Sequence, residues 1–314
     1  MIINNVETLP GETNRITVNV ARLPSHSPID ISITISRAKT DGPVLLLSGG
    51  LHGDEINGIE TVRRIIDQGL NIPEVGTIIC IPIINIYGFI HFSRSVPDGK
   101  DVNRTFPGNK NGSLASRVAY YLIKDIIPMI DYGIDFHTGG ADRTNYPQIR
   151  CQMKDPVNTE LAKAFHAPFT INSPYRPKSL RQTAAKLGKK ILVFEGGEAG
   201  RFDEFAIQEG INGTLRVLNH LKMSSRALIP TGHENRFISN SSWVRAKASG
   251  LFQTLVQYGE HVTKNQLVGH ITDPFGEFSV PLKSPATGYV IGLQNDPILH
   301  QGDAVMHIGR VDNK

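Results

Sequence analysis

A histidine and a glutamate stand three residues apart in Gly49-Gly50-Leu51-His52-Gly53-Asp54-Glu55, and a second histidine follows far downstream in Asp135-Phe136-His137-Thr138-Gly139-Gly140. Two imidazoles and one carboxylate form a standard ligand set of hydrolytic zinc sites, which take three protein ligands and keep a fourth position open for water. His52, Glu55 and His137 are therefore candidate ligands for one zinc ion per chain. The neighbouring glycines let backbone crowd against such a site. Asp135, two residues before His137, is placed either to orient an imidazole from outside or to be an ordinary strand-end aspartate. A His-x-x-Glu pair alone is weak evidence, since a surface turn can carry one by chance. Its meaning rests on the elements that hold it.

Val44 to Leu47 is a continuous apolar run, as is most of Thr77 to Ile84, the pattern of strands covered on both faces. Between them Ile56, Ile59, Val62, Ile65 and Ile66 recur at helical spacing, with Gly69 as a stop. His52 and Glu55 thus leave the carboxyl end of a central strand, where open α/β sheets place their sites. Tyr132 to Phe136 is a short strand that delivers His137 in the same way. Upstream, Ile29, Ile31, Ile33 and Ile35 alternate with polar residues and, with Arg15 to Val20, predict an opening hairpin. Helices over Leu114–Ile126, Val157–Phe165 and Asp203–Leu221 and a strand over Ile191–Phe194 continue the alternation. The expected fold is α/β, with a mostly parallel or mixed central sheet and helices on both faces, over residues 1–223.

Beyond Lys222 short strands and turn residues replace helices, and Ser224 to Asn235 reads as a linker. Residues 236–314 are expected to form a smaller all-β barrel or sandwich. Within them Lys247-Ala248-Ser249-Gly250 and Tyr258-Gly259-Glu260-His261-Val262 are echoed by Lys283 to Gly288 and Gln301-Gly302-Asp303-Ala304-Val305, which points to two similar halves.

The 314 residues carry a formal charge of +4 and 39% hydrophobic residues, enough for a substantial core. Lys and Arg are scattered among 29 acidic residues and form no run suited to nucleic acid. No segment approaches a membrane span, and the start of the chain lacks the cationic and apolar regions of a signal peptide. Cys80 and Cys151 form no disulfide framework, so a reduced cytoplasm is the expected compartment. The remaining histidines have no ligand-spaced partner on a shared element.

His52-Gly53-Asp54-Glu55, Asp101-Val102-Asn103-Arg104-Thr105-Phe106-Pro107-Gly108, Asp135-Phe136-His137 and Phe194-Glu195-Gly196-Gly197 occur in the order of the motifs of the succinylglutamate desuccinylase/aspartoacylase family. The chain resembles that family over about residues 40 to 220. The resemblance implies a zinc carboxypeptidase-like fold, with His52, Glu55 and His137 as ligands. It implies Glu195 as the general base that takes a proton from metal-activated water and passes it to the departing amine. Glu198 is the competing carboxylate, but the family pattern Glu-x-Gly fits Glu195 and Gly197. Asn103 and Arg104 match a pair that clamps a substrate carboxylate, a task suited to a guanidinium fork. Arg94 resembles an arginine that steadies the tetrahedral oxyanion; a solvated loop arginine is the alternative.

The run Thr138-Gly139-Gly140-Ala141-Asp142-Arg143 departs from that of true aspartoacylases, so the acyl group is left open. The C-terminal half-repeats resemble biotinyl/lipoyl-type domains, yet Asp273-Pro274-Phe275-Gly276-Glu277-Phe278 offers no lysine for a carried cofactor. That module is read as structural, capping the site or forming a homo-oligomer interface. The expected activity is a zinc-dependent amidohydrolase acting on a small carboxylate-bearing N-acyl amino acid or amine. A metallocarboxypeptidase acting on peptides and a non-catalytic metal-dependent sensor are the alternatives.

Overall fold

A computed structural model describes residues 1–311. A two-residue ladder, β1 (Ile2–Ile3) with β2 (Val6–Glu7), precedes the expected hairpin of β3 (Thr13–Arg22) and β4 (Pro28–Arg37). Strand β5 (Thr40–Ser48), helix α1 (Ile56–Asp67) and strand β6 (Val75–Ile81) follow, and β5 and β6 pair in parallel, as a helical crossover demands. Helices α2 (Ile86–Ile90) and α3 (Leu114–Tyr121) lead to β7 (Tyr132–Gly139). Then come β8 (Arg143–Cys151), α4 (Pro156–Phe165), β9 (Phe169–Asn172), α5 (Leu180–Lys186), β10 (Lys190–Glu198) and α6 (Glu204–His220). The rest of the described chain is strand and loop: β11 (Arg236–Arg245), β12 (Gly250–Thr254), β13 (His261–Val262), β14 (Leu267–Thr272), β15 (Ser279–Lys283), β16 (Gly288–Gln294), β17 (Ile298–Leu299) and β18 (Ala304–Val311).

Twelve strands form one sheet in the order β13-β16-β18-β11-β9-β8-β10-β7-β5-β6-β4-β3. Its centre, β6-β5-β7-β10, is parallel. The sheet as a whole is mixed, because the hairpin adds antiparallel strands at one side and β8 runs antiparallel to β10. Alternate residues of the central strands feed two cores. Leu46, Ile79 and Ile81 face a cluster with Val118 and Leu122 after the start of α3 and with Leu180 and Ala184 of α5. Leu45, Leu47 and Ile134 face α1, α4 and α6 through Val62, Leu161 and Ile211. Burial on both faces explains why these strands read as unbroken apolar runs.

The C-terminal strands do not form a free-standing unit. β11 lies parallel to β9 and β16 lies antiparallel to β8, with Gly292 opposite Asn145, so the long sheet runs into them without interruption. A second sheet, β15-β14-β12-β17, covers that extension across a separate core of Phe252, Ile271, Leu282, Val290, Val305 and Ile308. The sequence echo has a local cause: Glu260 accepts a hydrogen bond from the Gln257 amide at 2.9 Å, and Asp303 accepts one from His300 at 2.7 Å. Each carboxylate closes the turn that precedes a strand. Cys80 and Cys151 are buried free thiols, and burial pushes Cys151 up to about 11. No helix of the described residues is long and apolar enough to cross a membrane.

Where the extension meets the main sheet, His307 of β18 sits opposite Trp243 of β11, with the rings stacked 4.4 Å apart at 6°. Its Nδ1 has no partner among the described residues, and burial together with the Arg150 charge pushes its pKa down to about 3 from 6.5. The unfolded chain binds this proton more readily, so the stability contribution is complete above about pH 6.5 and is lost as pH falls toward 3. His307→Phe, which keeps a ring on Trp243, should flatten the decline of unfolding free energy across that window. Denaturant titrations at several pH values check this; identical slopes in the two proteins would dismiss it.

Candidate active site

After β5 ends at Ser48, the chain turns through Gly49 and Gly50 and presents His52 and Glu55 ahead of α1. Gly50 holds a left-handed φ of +58°, and a Cβ on Gly53 would lie 1.9 Å from the Gly88 carbonyl carbon. Those two positions need glycine. His137 lies near the carboxyl end of β7, and Glu195 of β10 is its direct neighbour across the parallel ladder. Four side chains from three adjacent strand ends thus open into one crevice, the place an open α/β sheet offers.

His52, Glu55 and His137 are buried, with relative exposures of 3%, 2% and 4%. His52 Nδ1 lies 2.7 Å from Glu55 Oε1, His137 Nδ1 lies 2.7 Å from Glu55 Oε2, and the two Nδ1 atoms are 3.2 Å apart. The far side of each ring meets a carboxylate. His137 Nε2 is 2.8 Å from Asp135 Oδ2, and His52 Nε2 is 3.2 Å from Asp101 Oδ1. With the single proton of each neutral ring on Nε2, toward its outer carboxylate, each Nδ1 would present its lone pair beside Glu55. Lone pairs gathered this closely repel unless positive charge lies among them. The donor set therefore fits a divalent cation, and its N/O character suits zinc.

The protein's own cations respond to the same field. Arg94 Nη1 is 3.1 Å from Glu55 Oε1 and 3.2 Å from His52 Nδ1, while its Nε and Nη2 donate to Asp101 at 3.2 and 2.9 Å. Burial alone would favour the neutral carboxyl of Asp101, but His52 and Arg94 outweigh it and hold that group below the usual range. Burial likewise opposes ionisation of Glu55, and the two histidines overcome it. Asp101 also caps the turn Val102–Arg104 by accepting from the Asn103 amide at 2.7 Å. One aspartate thus ties the loop, the arginine and an imidazole together.

A cleft of about 330 Å³ opens over this group. Arg94, Asn103, Arg104 and Glu195 all line it together with His52, Glu55 and His137, so these seven residues reach one space. Asn103 Oδ1 accepts from the Leu180 amide at 2.9 Å, and Arg104 donates to the Asn103 carbonyl at 2.7 Å. Glu195 Oε2 accepts from Asn145 Nδ2 at 2.9 Å, and Arg150 Nη1 lies 3.5 Å from Glu195 Oε1. Glu198 instead pairs with Arg201 at 3.3 Å and does not line the cleft.

Several contributors carry no sequence signal that assigns them to the site. Asp101 stands in a quoted motif without a stated role. Asn145 is a buried polar residue of β8, a strand whose bulge opposite Glu195–Gly197 disturbs its alternation. Trp243 lines the cleft from β11, beyond the linker, so only the joining of β11 to β9 brings it there.

A family model described as the succinylglutamate desuccinylase/aspartoacylase catalytic domain matches residues 41–221, more than half of the chain. The chain belongs to this family. It is 28% identical over 297 residues to the N-alpha-acetyl-L-2,4-diaminobutyric acid deacetylase of Halomonas elongata, covering 90% of this chain and 86% of that protein. Among solved structures, a succinylglutamate desuccinylase/aspartoacylase from Rhodobacter sphaeroides is 25% identical, with a TM-score of 0.84 and 96% of both chains covered. The product-bound ectoine utilization protein EutE (DoeB) from Ruegeria pomeroyi gives a TM-score of 0.84 at 22% identity, covering 96% of this chain and 97% of that one. This last likeness is one of fold. The matched region of the family ends before β11, so Trp243 lies outside the family's catalytic-domain model while lining the same cleft as the motifs inside it.

If Asp101 fixes the orientation of His52, Asp101→Asn should weaken divalent-metal binding by about 10- to 100-fold, the usual cost of losing such an outer partner. Chelator competition with the metal-loaded protein measures it. Unchanged affinity would mean that the ring is held by packing alone.

Proposed function

We propose that this protein is a zinc-dependent amidohydrolase that removes the acyl group from a small N-acyl amino acid or amine bearing a carboxylate. The observation that carries the reading is Glu195 standing across the ladder from His137, in the same cleft as the His52–Glu55–His137 group. We take residues 1–223 as the catalytic unit, of zinc carboxypeptidase-like fold, and residues 236–314 as a β module that walls its entrance.

A divalent cation bound at that group supplies Lewis acidity and brings the pKa of water toward neutrality. Glu195, oriented by Asn145, takes the proton of the attacking water and returns it to the amide nitrogen as the C–N bond breaks. Arg94 balances negative charge gathering on the carbonyl oxygen. Arg104 faces no carboxylate of the described residues within ion-pair distance and is free to receive that of the substrate. The Halomonas relative is named a deacetylase, which supports acyl removal. A cleft of about 330 Å³ lies at the small end of ligand sites, which favours a metabolite over a peptide.

Metal-loaded protein should release free amine from some member of a panel of N-acetyl, N-succinyl and N-formyl amino acids and none from short peptides. Glu195→Gln should keep its metal while kcat falls at least about 100-fold. Retained turnover in that variant removes Glu195 from the chemistry, and peptide cleavage replaces the deacylase reading. Separately, Arg104→Ala should raise KM for the cleaved substrate by the equivalent of about 1.5–3 kcal/mol, the worth of a charged hydrogen bond. An unchanged KM would show that the carboxylate binds elsewhere.

A further inference from the structure

Strand pairing fixes only part of the site's geometry. Glu195 and His137 are ladder neighbours, but His52 and Glu55 come after the end of β5, on a turn that no ladder holds. The ladder also slips beside the base. The pairing of β10 with β7 loses register between Glu195 and Glu198, and its pairing with β8 does so between Glu195 and Gly197. Side chains therefore have to fix the separation between Glu195 and the turn that carries two of the three donors.

Asn57 makes that connection. It is the second residue of α1, two positions after Glu55, and is 2% exposed. Its Nδ2 donates to the Glu198 carbonyl at 3.1 Å, and its Oδ1 accepts from the Asp203 amide at 2.9 Å. One side chain thus holds both ends of the loop between β10 and α6. Backbone bonds from Ala199 to the Gly139 carbonyl and from Gly200 to the Asp54 carbonyl, at 3.0 and 2.8 Å, hold the middle of that loop. An amide suits the position because it donates at one end and accepts at the other. Asp203 passes the constraint on, since its carboxylate caps α6 by accepting from the Ala206 amide at 3.0 Å.

The glycine two residues after Glu195 belongs to the same arrangement. Gly197 has a left-handed φ of +76°, and a Cβ there would lie 2.5 Å from Asn57 Nδ2. The strand has to be bare at this point for Asn57 to reach the Glu198 carbonyl. Asn57 itself does not line the cleft.

We infer that Asn57 is a positioning residue for the base: by tying the start of α1 to the loop after β10, it sets where the Glu195 carboxylate stands relative to the His52–Glu55–His137 group. The role of Glu195 rests on the deacylase reading, but the placement can be measured without turnover. Val62 and Ile65 keep α1 seated in the core it shares with β5 and β7, so loss of the Asn57 amide bears on the base and spares the donors. Misplacing a reacting group by about 1 Å costs on the order of 100-fold in rate.

The test compares wild-type protein with Asn57→Leu, which keeps the size of the side chain and removes both bonds, and with Asn57→Asp, which keeps only the acceptor. In crystal structures of the variants the Glu195 carboxylate should stand about 1 Å from its wild-type place, with His52, Glu55 and His137 unmoved. Metal affinity by chelator competition should stay within about twofold of wild type. For whichever N-acyl amino acid the wild-type protein cleaves, kcat should fall about 10- to 100-fold at unchanged KM. Adding Asn57→Leu to Glu195→Gln should change the residual rate by less than about twofold, because the residue acts through the base it positions. Where Asn57→Leu does not fold, Asn57→Asp carries the same comparisons. An unmoved Glu195 carboxylate, an unchanged kcat, a metal affinity that falls as far as kcat, or full additivity with Glu195→Gln overturns the inference. If wild-type protein cleaves none of the panel, the hydrolytic reading fails, and the crystallographic comparison alone upholds or overturns the placement.

Discussion

Three electron-pair donors are held within hydrogen-bond distance of one another in a place almost closed to water. Water cannot screen their mutual repulsion there, so the protein has to supply compensation, and the surrounding architecture does so. Asp101 and Asp135 meet the outer nitrogens of the rings, Ser48 donates to Asp135 at 2.7 Å, and Arg94 sets its charge against Glu55. Such an arrangement favours positive charge at its centre, which is why the group suits a cation. A loop that is otherwise a run of turns, from Arg94 to Arg104, is ordered because Asp101 serves His52, Arg94 and its own turn at once.

The sheet converts this local demand into a site. Parallel strands end side by side, so groups far apart in sequence emerge at one level: Ser48 is registered with Asp135, and Glu195 with His137. Two-residue periodicity then places Asp135 and His137 on the same face. The helices of both layers bury the strands deeply enough to hold that register, with Phe136 and Phe194 packed edge to face at 5.8 Å beneath the crevice. The C-terminal strands continue the sheet and contribute to the cleft in two ways: Trp243 forms part of its wall, and Gly292 lies against Asn145, which orients Glu195. Any side chain at Gly292 would put a Cβ 3.0 Å from Asn145 Oδ1, so this β region bears on the partner of Glu195 as well as on the cleft wall.

Much of this was legible in the residues. Apolar runs marked β5 and β6, a short strand before His137 marked β7, and the glycines after β5 marked a tight turn carrying His52 and Glu55. The turn chemistry of the C-terminal halves correctly signalled repeated strands. The short strand β9 and the irregular β8 escaped notice, because a bulged strand with buried Asn145 and Gln148 shows neither a clean alternation nor an apolar run. The change in composition after Lys222 suggested a separate module, but edge pairing through backbone groups leaves no side-chain pattern, so its fusion to the main sheet could not be read.

The sequence by itself determined the donor types, the tight turns beside them and the strands that end at them, since these follow from side-chain chemistry and from periodicity within a few residues. Tertiary structure decided which carboxylate serves which imidazole, that Asp101 holds three partners, and that an arginine and a tryptophan from opposite sides of the linker share one wall. Those relations depend on strand order and on register between distant segments. Both are set by the packing of whole layers, which no local stretch of residues encodes.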